Sequence, residues 1–157
     1  MSDAHVFECR LVWTGAESGG TAKYEAYSRE YRVDFEGKAS LHGTAAPMFL
    51  GDPTLHNPED LLVASLCGCH CLTYLALCAR SGVAVVGYED RASGRMAVVD
   101  GVLRFTEVKL SPRVVVAPGS DVERARKLHD KAHRGCFIVA SVNFPVTNEA
   151  TVVVREE

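Results

Sequence analysis

The chain has 157 residues, 47% hydrophobic and 24% charged, with a formal net charge of −3. That size suits one domain over 1–157, and the slightly acidic balance leaves no electrostatic footprint for nucleic acid. Six cysteines without a basic, apolar leader point to a reducing, cytoplasmic compartment. Thiols there are buried, catalytic or metal-ligating rather than a disulfide framework.

In chain order, His5–Trp13 is expected to be a strand, since Val6, Phe7, Leu11, Val12 and Trp13 favour extended backbone. Thr14–Gly20 is a Gly-containing loop. Thr21–Val33, with Tyr24, Tyr27 and Tyr31, reads as a second extended run with a break near Arg29. Glu36–Gly37 marks a turn and Lys38–His42 a third short strand. Pro47, Gly51 and Pro53 make Ala45–His56 a loop.

Asn57–Gly82 then reads as one long helix. Asn57 is a preferred N-cap, Pro58 suits the first helical position, and Glu59 and Asp60 put negative charge at the positive end of the macrodipole. Arg80 and Gly82 are C-terminal signals. The interior carries almost no charge and is apolar around most of its circumference, which predicts burial on all sides. His, Cys, Gly and Tyr interrupt it too often, and its caps are too good, for a membrane span. Beyond it, Val83–Tyr88 and Arg95–Val99 are strands separated by a turn at Asp90–Gly94. Asp100–Gly101 signals a hairpin into Val102–Val116. Ser120 followed by Glu123 is a capping-box pattern, so a second helix is expected from there to about His133. Gly135–Val142 reads as a short helix or turn, and Thr147–Arg155 as a last strand. This order argues for α+β.

The cysteines admit two readings. Taken singly, Cys9, Cys67, Cys71 and Cys78 read as small buried hydrophobes. Cys69 lies about 200° around the helix from Cys67, so C-G-C-H-C cannot turn all its sulfurs to one ion while helical; no metal site is expected. Cys69 is set apart by polar Ser65 and Thr73 one turn to either side. Cys136 follows a helix carrying Arg124, Arg126, Lys127, His129, Lys131, His133 and Arg134, and positive charge stabilises a thiolate.

These residues carry a resemblance. N-P-E-D-L-L-V-A-S-L-C-G-C-H resembles the first signature of the OsmC/Ohr family of thiol-dependent peroxidases, in which a reactive Cys stands ten residues after a Glu, here Cys69 after Glu59. A-H-R-G-C-F-I-V-A-S-V is similar to the second signature, giving Cys136. W-T-G, Y-S-R, Y-E-D and S-P-R-V also resemble the OsmC-like branch. The resemblance implies antiparallel sheets packed around a long buried central helix, in an intertwined homodimer. It implies that Cys69 attacks an organic hydroperoxide, that Cys136 closes a disulfide on the resulting sulfenic acid, and that an external dithiol (a dihydrolipoyl group or a small thiol) reduces it, with no bound cofactor. It also implies an Arg held by Glu59. Leu41–His56 contains no Arg, which leaves Arg29 and Arg32, and Arg29 is favoured. No nucleic-acid or membrane partner is expected.

Two rival readings are a non-enzymatic redox sensor or small-molecule binder on the same fold, and a thiol-rich metal module. One feature of the spacing bears on assembly. Ten helical residues rise about 15 Å, and side chains that far apart point about 80° from each other. Glu59 therefore cannot reach the Cys69 thiol along one straight helix, and the expected solution is an antiparallel partner helix from a second copy.

Overall fold

The computed structural model describes residues 4–156. It divides into two compact units, Met1–Leu61 and Leu62–Glu157, with the boundary inside the long helix.

In the first unit, β1 (Arg10–Trp13) pairs antiparallel with β2 (Tyr31–Asp34), and β2 with β3 (Leu41–Gly43). The first expected strand is thus shorter than the apolar run His5–Trp13, and Cys9 just before it is exposed rather than core. The second expected run is not extended over its first half: residues 21–27 form turns and bends. Trp13 explains the path of the connection, because its indole N–H donates to the Ser28 carbonyl at 2.8 Å. Tyr31 lies against Gly43, where an added Cβ would sit 2.4 Å from the ring, so a larger residue there would have to displace it. A bridge from Gly43 to His56 leads the chain into the long helix.

That helix, α1, spans Pro58–Arg80. The Asn57 side-chain oxygen accepts from the Asp60 backbone N–H at 2.9 Å. At the other end Val83 N–H bonds the Cys78 carbonyl and Gly82 N–H the Ala79 carbonyl, with Gly82 at φ +70°. This is a Schellman stop, and the left-handed residue it needs is the glycine. A single chain does not by itself cover the helix on all sides. Within this chain α1 buries one stripe, Leu66, His70, Tyr74 and Cys78, spaced every four residues, while Leu72 is 72% exposed. One chain supplies too little structure to cover more.

The second unit contains β4 (Val85–Asp90), β5 (Ser93–Val99), β6 (Val102–Leu110), β7 (Pro112–Val116), α2 (Val122–Gly135), β8 (Val146–Asn148) and β9 (Thr151–Val154). The β5–β6 hairpin turns at Asp100–Gly101, both with positive φ. The expected strand Val102–Val116 is two strands in two sheets, β5-β6-β8 and β4-β7-β9. The three strand runs break at one level: between Asp90 and Ser93, at Ser111, and between Asn148 and Thr151. At the break the Ser111 N–H donates to the Asp90 carboxylate at 2.7 Å. The sheets are mixed rather than wholly antiparallel, since β8 and β9 add parallel to β6 and β7. Helix α2 is capped by Asp121, one residue later than expected; its carboxylate accepts from Arg124 N–H at 2.9 Å.

Two small cores result. Leu66 packs with Val108, Leu110 and Val146 on the β5-β6-β8 sheet. Tyr74 and Cys78 pack with Val114, Val116 and Val152 of the other sheet and with Ala125, Leu128 and Ala132 of α2.

Candidate functional site

Cys69 lies on the half-covered side of α1, and Cys136 caps the end of α2. The two helices bring them together across 67 residues of chain: the Cys136 thiol points at the Cys69 sulfur across 2.6 Å. Both are free thiols in this structure, Cys69 half-buried and Cys136 buried. Disulfide bonding needs sulfurs about 2.05 Å apart, a distance reached here by a small side-chain adjustment.

Beside the pair lies an open cavity of about 630 Å³, lined by Ser65, Cys69, Leu72, Thr73, Ala76 and Phe137 among others. Ser65 and Thr73, singled out by spacing, both face it. Its wall is largely apolar, and Phe137 is 78% exposed. Leu66, next to Ser65 in sequence, belongs instead to the neighbouring, buried stripe.

The charge argument for Cys136 is corrected by the structure. Burial, and then the hydrogen bond with Cys69, push its thiol up to about 11. The positive side chains of α2 do not activate it. Arg126 pairs with Glu123 and Arg124 turns to Asp121 and the Ser81 carbonyl, while His129 is buried and held neutral. Cys136 also follows the carbonyl end of α2, where the helix dipole disfavours an anion. Cys136 therefore stays a thiol, and the accessible sulfur is that of Cys69.

Cys67 and Cys71 face another way, toward β4. Burial, and then the Asp90 carboxylate, raise both, Cys67 to about 11. Cys78 is a core residue.

Glu59 and Arg29 belong to the first unit and are described there. Glu59 stands near Tyr31, whose hydroxyl is raised by burial and then by the Glu59 charge. One Glu59 carboxylate oxygen is buried without a hydrogen-bond partner among the described residues. Arg29 is not a solvent-facing strand residue. Its guanidinium lies 3.8 Å from the Tyr27 ring centroid and 4.9 Å from that of Tyr24, and it donates to both of their carbonyls. Its Nε is buried without a hydrogen-bond partner among the described residues. Arg32 is engaged by Asp34 through two contacts of 2.9 and 3.2 Å.

Sequence reasoning passed over a buried histidine pair. His70, next to Cys69, meets His129 of α2 at 3.1 Å between Nε2 and Nδ1. The rings are 0% and 2% exposed, and Tyr74 stacks on His129 with centroids 3.8 Å apart. Burial, and then the His133 charge, lower His70 to about 4; burial, and then His70, lower His129 to about 4. The signal lay in the pattern Ala125, Leu128, His129, Ala132, which places His129 on the apolar stripe of α2. No group of three or more metal-ligating side chains occurs among the described residues.

Comparison with known proteins agrees with this architecture. The family model described as OsmC-like protein matches residues 51–150. A protein of Bacillus subtilis (strain 168) named uncharacterized protein YmaD is 30% identical over 101 residues, 61% of this chain and 67% of its own. An OsmC-like protein of unknown function from Vibrio cholerae O1 biovar eltor superposes with a TM-score of 0.86 at 28% identity, over 94% of this chain and all of the other. Similar in fold, at 14% identity and a TM-score of 0.64, is an organic hydroperoxide resistance protein from Legionella pneumophila, over 96% of this chain and 98% of its own. With its long capped helix, two cysteines meeting between two helices and this family model over most of its length, the chain belongs to the OsmC-like family.

Proposed function

We propose that the protein is a cysteine-based peroxidase that reduces organic hydroperoxides to alcohols. The observation that carries this reading is the meeting of Cys69 and Cys136 at 2.6 Å beside an apolar cavity that exposes Cys69. Cys69 attacks the terminal peroxide oxygen as thiolate. The O–O bond breaks, the sulfur becomes a sulfenic acid, and the alkoxide takes a proton and leaves as alcohol. The Cys136 sulfur then attacks the Cys69 sulfenic sulfur. A disulfide forms, and the hydroxyl leaves as water with the Cys136 proton. A dithiol returns both thiols by exchange and is itself oxidised. The raised Cys136 thiol suits the second role: it stays protonated and uncompetitive until the sulfenic acid is beside it. Free-thiol counting after one equivalent of cumene hydroperoxide tests this. Two thiols should disappear and return with dithiol; a sensor would oxidise without turning over.

The apolar wall of the cavity sets a preference. Each buried methylene contributes about 0.8 kcal/mol, or roughly fourfold in binding. Steady-state kcat/KM for cumene or fatty-acid hydroperoxide should therefore exceed that for hydrogen peroxide by at least about tenfold. The reverse order would contradict the assignment of the cavity.

We further propose a cytoplasmic two-fold homodimer in which Glu59 of one copy serves the Cys69 site of the other. Three features support it: the uncovered face of α1, a Glu59 oxygen without a partner among the described residues, and the ten-residue helical step from Glu59 to Cys69. An obligate interface of this kind resembles a core cut in half. Mixing Glu59→Ala with Cys69→Ser chains, after subunit exchange, should restore about a quarter of wild-type activity. Half of the dimers are then mixed, each with one complete site. A fully active monomer at micromolar concentration would exclude the arrangement.

A further inference from the structure

We propose that His70 and His129 are positioning residues: their buried contact sets the register of α2 on α1 and so holds Cys136 against Cys69. This rests on the reading of the two cysteines as a redox pair. The helices run antiparallel through successive rungs. The Tyr74 hydroxyl donates to the Ala125 carbonyl at 3.2 Å, and four residues back on α1 and four forward on α2, His70 meets His129. The rest of the buried contact is apolar, with Ala125, Leu128 and Ala132 facing Tyr74 and Cys78, and the other polar link is an exposed one, from Arg124 to the Ser81 carbonyl just past the end of α1. Apolar burial is non-directional and tolerates a slip; a buried hydrogen bond does not.

A shift of α2 by one residue carries His129 about 1.5 Å along and about 100° around the axis. Both inner ring nitrogens would then be unpaired, and the outer ones, His70 Nδ1 and His129 Nε2, already lack a partner among the described residues. The Tyr74 ring, 13° from parallel to His129, fixes the plane in which the bond is made. Cys136 directly follows the last residue of α2, so any slip of the helix moves its thiol. Intramolecular reactions depend steeply on such placement.

The test is the equilibrium of reduced protein with glutathione disulfide, which yields the Cys69–Cys136 disulfide and two glutathione thiols. It is read by alkylation and mass spectrometry and needs no peroxide. His129→Phe and His70→Phe keep a ring and delete the bond. Each should lower the equilibrium constant by about ten- to a hundredfold. In a Cys136→Ser background the same changes should leave the rate of Cys69 oxidation by cumene hydroperoxide unchanged. His129→Asn, whose amide stands where Nδ1 does, should recover most of the loss. Val152→Ala, which weakens the same core from β9, should lower stability without moving the equilibrium.

Folded Phe variants with the wild-type equilibrium constant would overturn the proposal, as would an equal drop in Val152→Ala. If the Phe chains fail to fold, His129→Leu against His129→Asn makes the same comparison. A wild-type chain that forms no Cys69–Cys136 disulfide would remove the redox reading and this role with it, a result distinct from unaltered variants.

Discussion

Cys69→Ser should abolish peroxide reduction, lowering turnover by at least about a thousandfold, as expected when a reaction loses its nucleophile. Serine is close in shape, and Cys69 lines an open cavity rather than filling a core, so the variant should fold normally. Cys136→Ser should behave differently. Its first oxidation should remain, since Cys69 still faces the cavity. With no second thiol within 2.6 Å of the sulfenic sulfur, the oxidised form should accumulate and be trapped by a dimedone-type reagent. Turnover with dithiol should be slight. Exchanged phenotypes would reverse the order of attack. Undiminished turnover in Cys69→Ser would remove the peroxidase reading. Cys67→Ser and Cys71→Ser should change little, because burial and the Asp90 carboxylate keep both thiols protonated.

Stability should fall steeply as pH drops from about 6.5 to 4. His70 and His129 have folded values near 4 against 6.5 for a free ring. A depressed value means that the unfolded chain binds more protons between the two, so unfolding becomes easier as acid is added. Their neutral burial is therefore unopposed above about pH 6.5 and is lost progressively down to about pH 4, below which the effect levels off. For each ring this amounts to about 3 kcal/mol, or a fall of roughly 10 °C in midpoint for a chain of this size. Asp90 works in the opposite direction, because burial raises its carboxyl and protonation relieves that cost. Asp34, Asp52 and Glu89, lowered by hydrogen bonds, add their losses only in more acid solution. Unfolding midpoints measured from pH 7.5 to 4 check the prediction. His129→Phe should flatten the slope, whereas an equal slope in that variant would assign the acid sensitivity elsewhere.

The sequence by itself determined the elements whose causes are local. Asn57, Pro58 and Gly82 place both ends of α1 within a residue of expectation, because capping hydrogen bonds and a left-handed stop depend on neighbours a few positions away. Asp100–Gly101 marks its hairpin for the same reason. The family signatures single out Cys69 and Cys136, and the chain's place in the OsmC-like family was legible from them. What only the tertiary structure decided depends on distant contacts. Nothing local says that Val102–Val116 must break at Ser111; the break falls level with those between β4 and β5 and between β8 and β9, the strands paired beside it. Nothing local turns β8 and β9 parallel to strands more than thirty residues earlier. The apolar circumference of α1 reads as buried throughout, yet one chain offers only enough surface for a single stripe. The protonation of Cys136 reverses the reading from its charged neighbours. A helix's charges point to solvent while its C-terminal end is pressed into the core, and desolvation outweighs charges that water screens. His70 and His129 stand 59 residues apart, and only the packing of two helices makes them one buried pair beside the thiols.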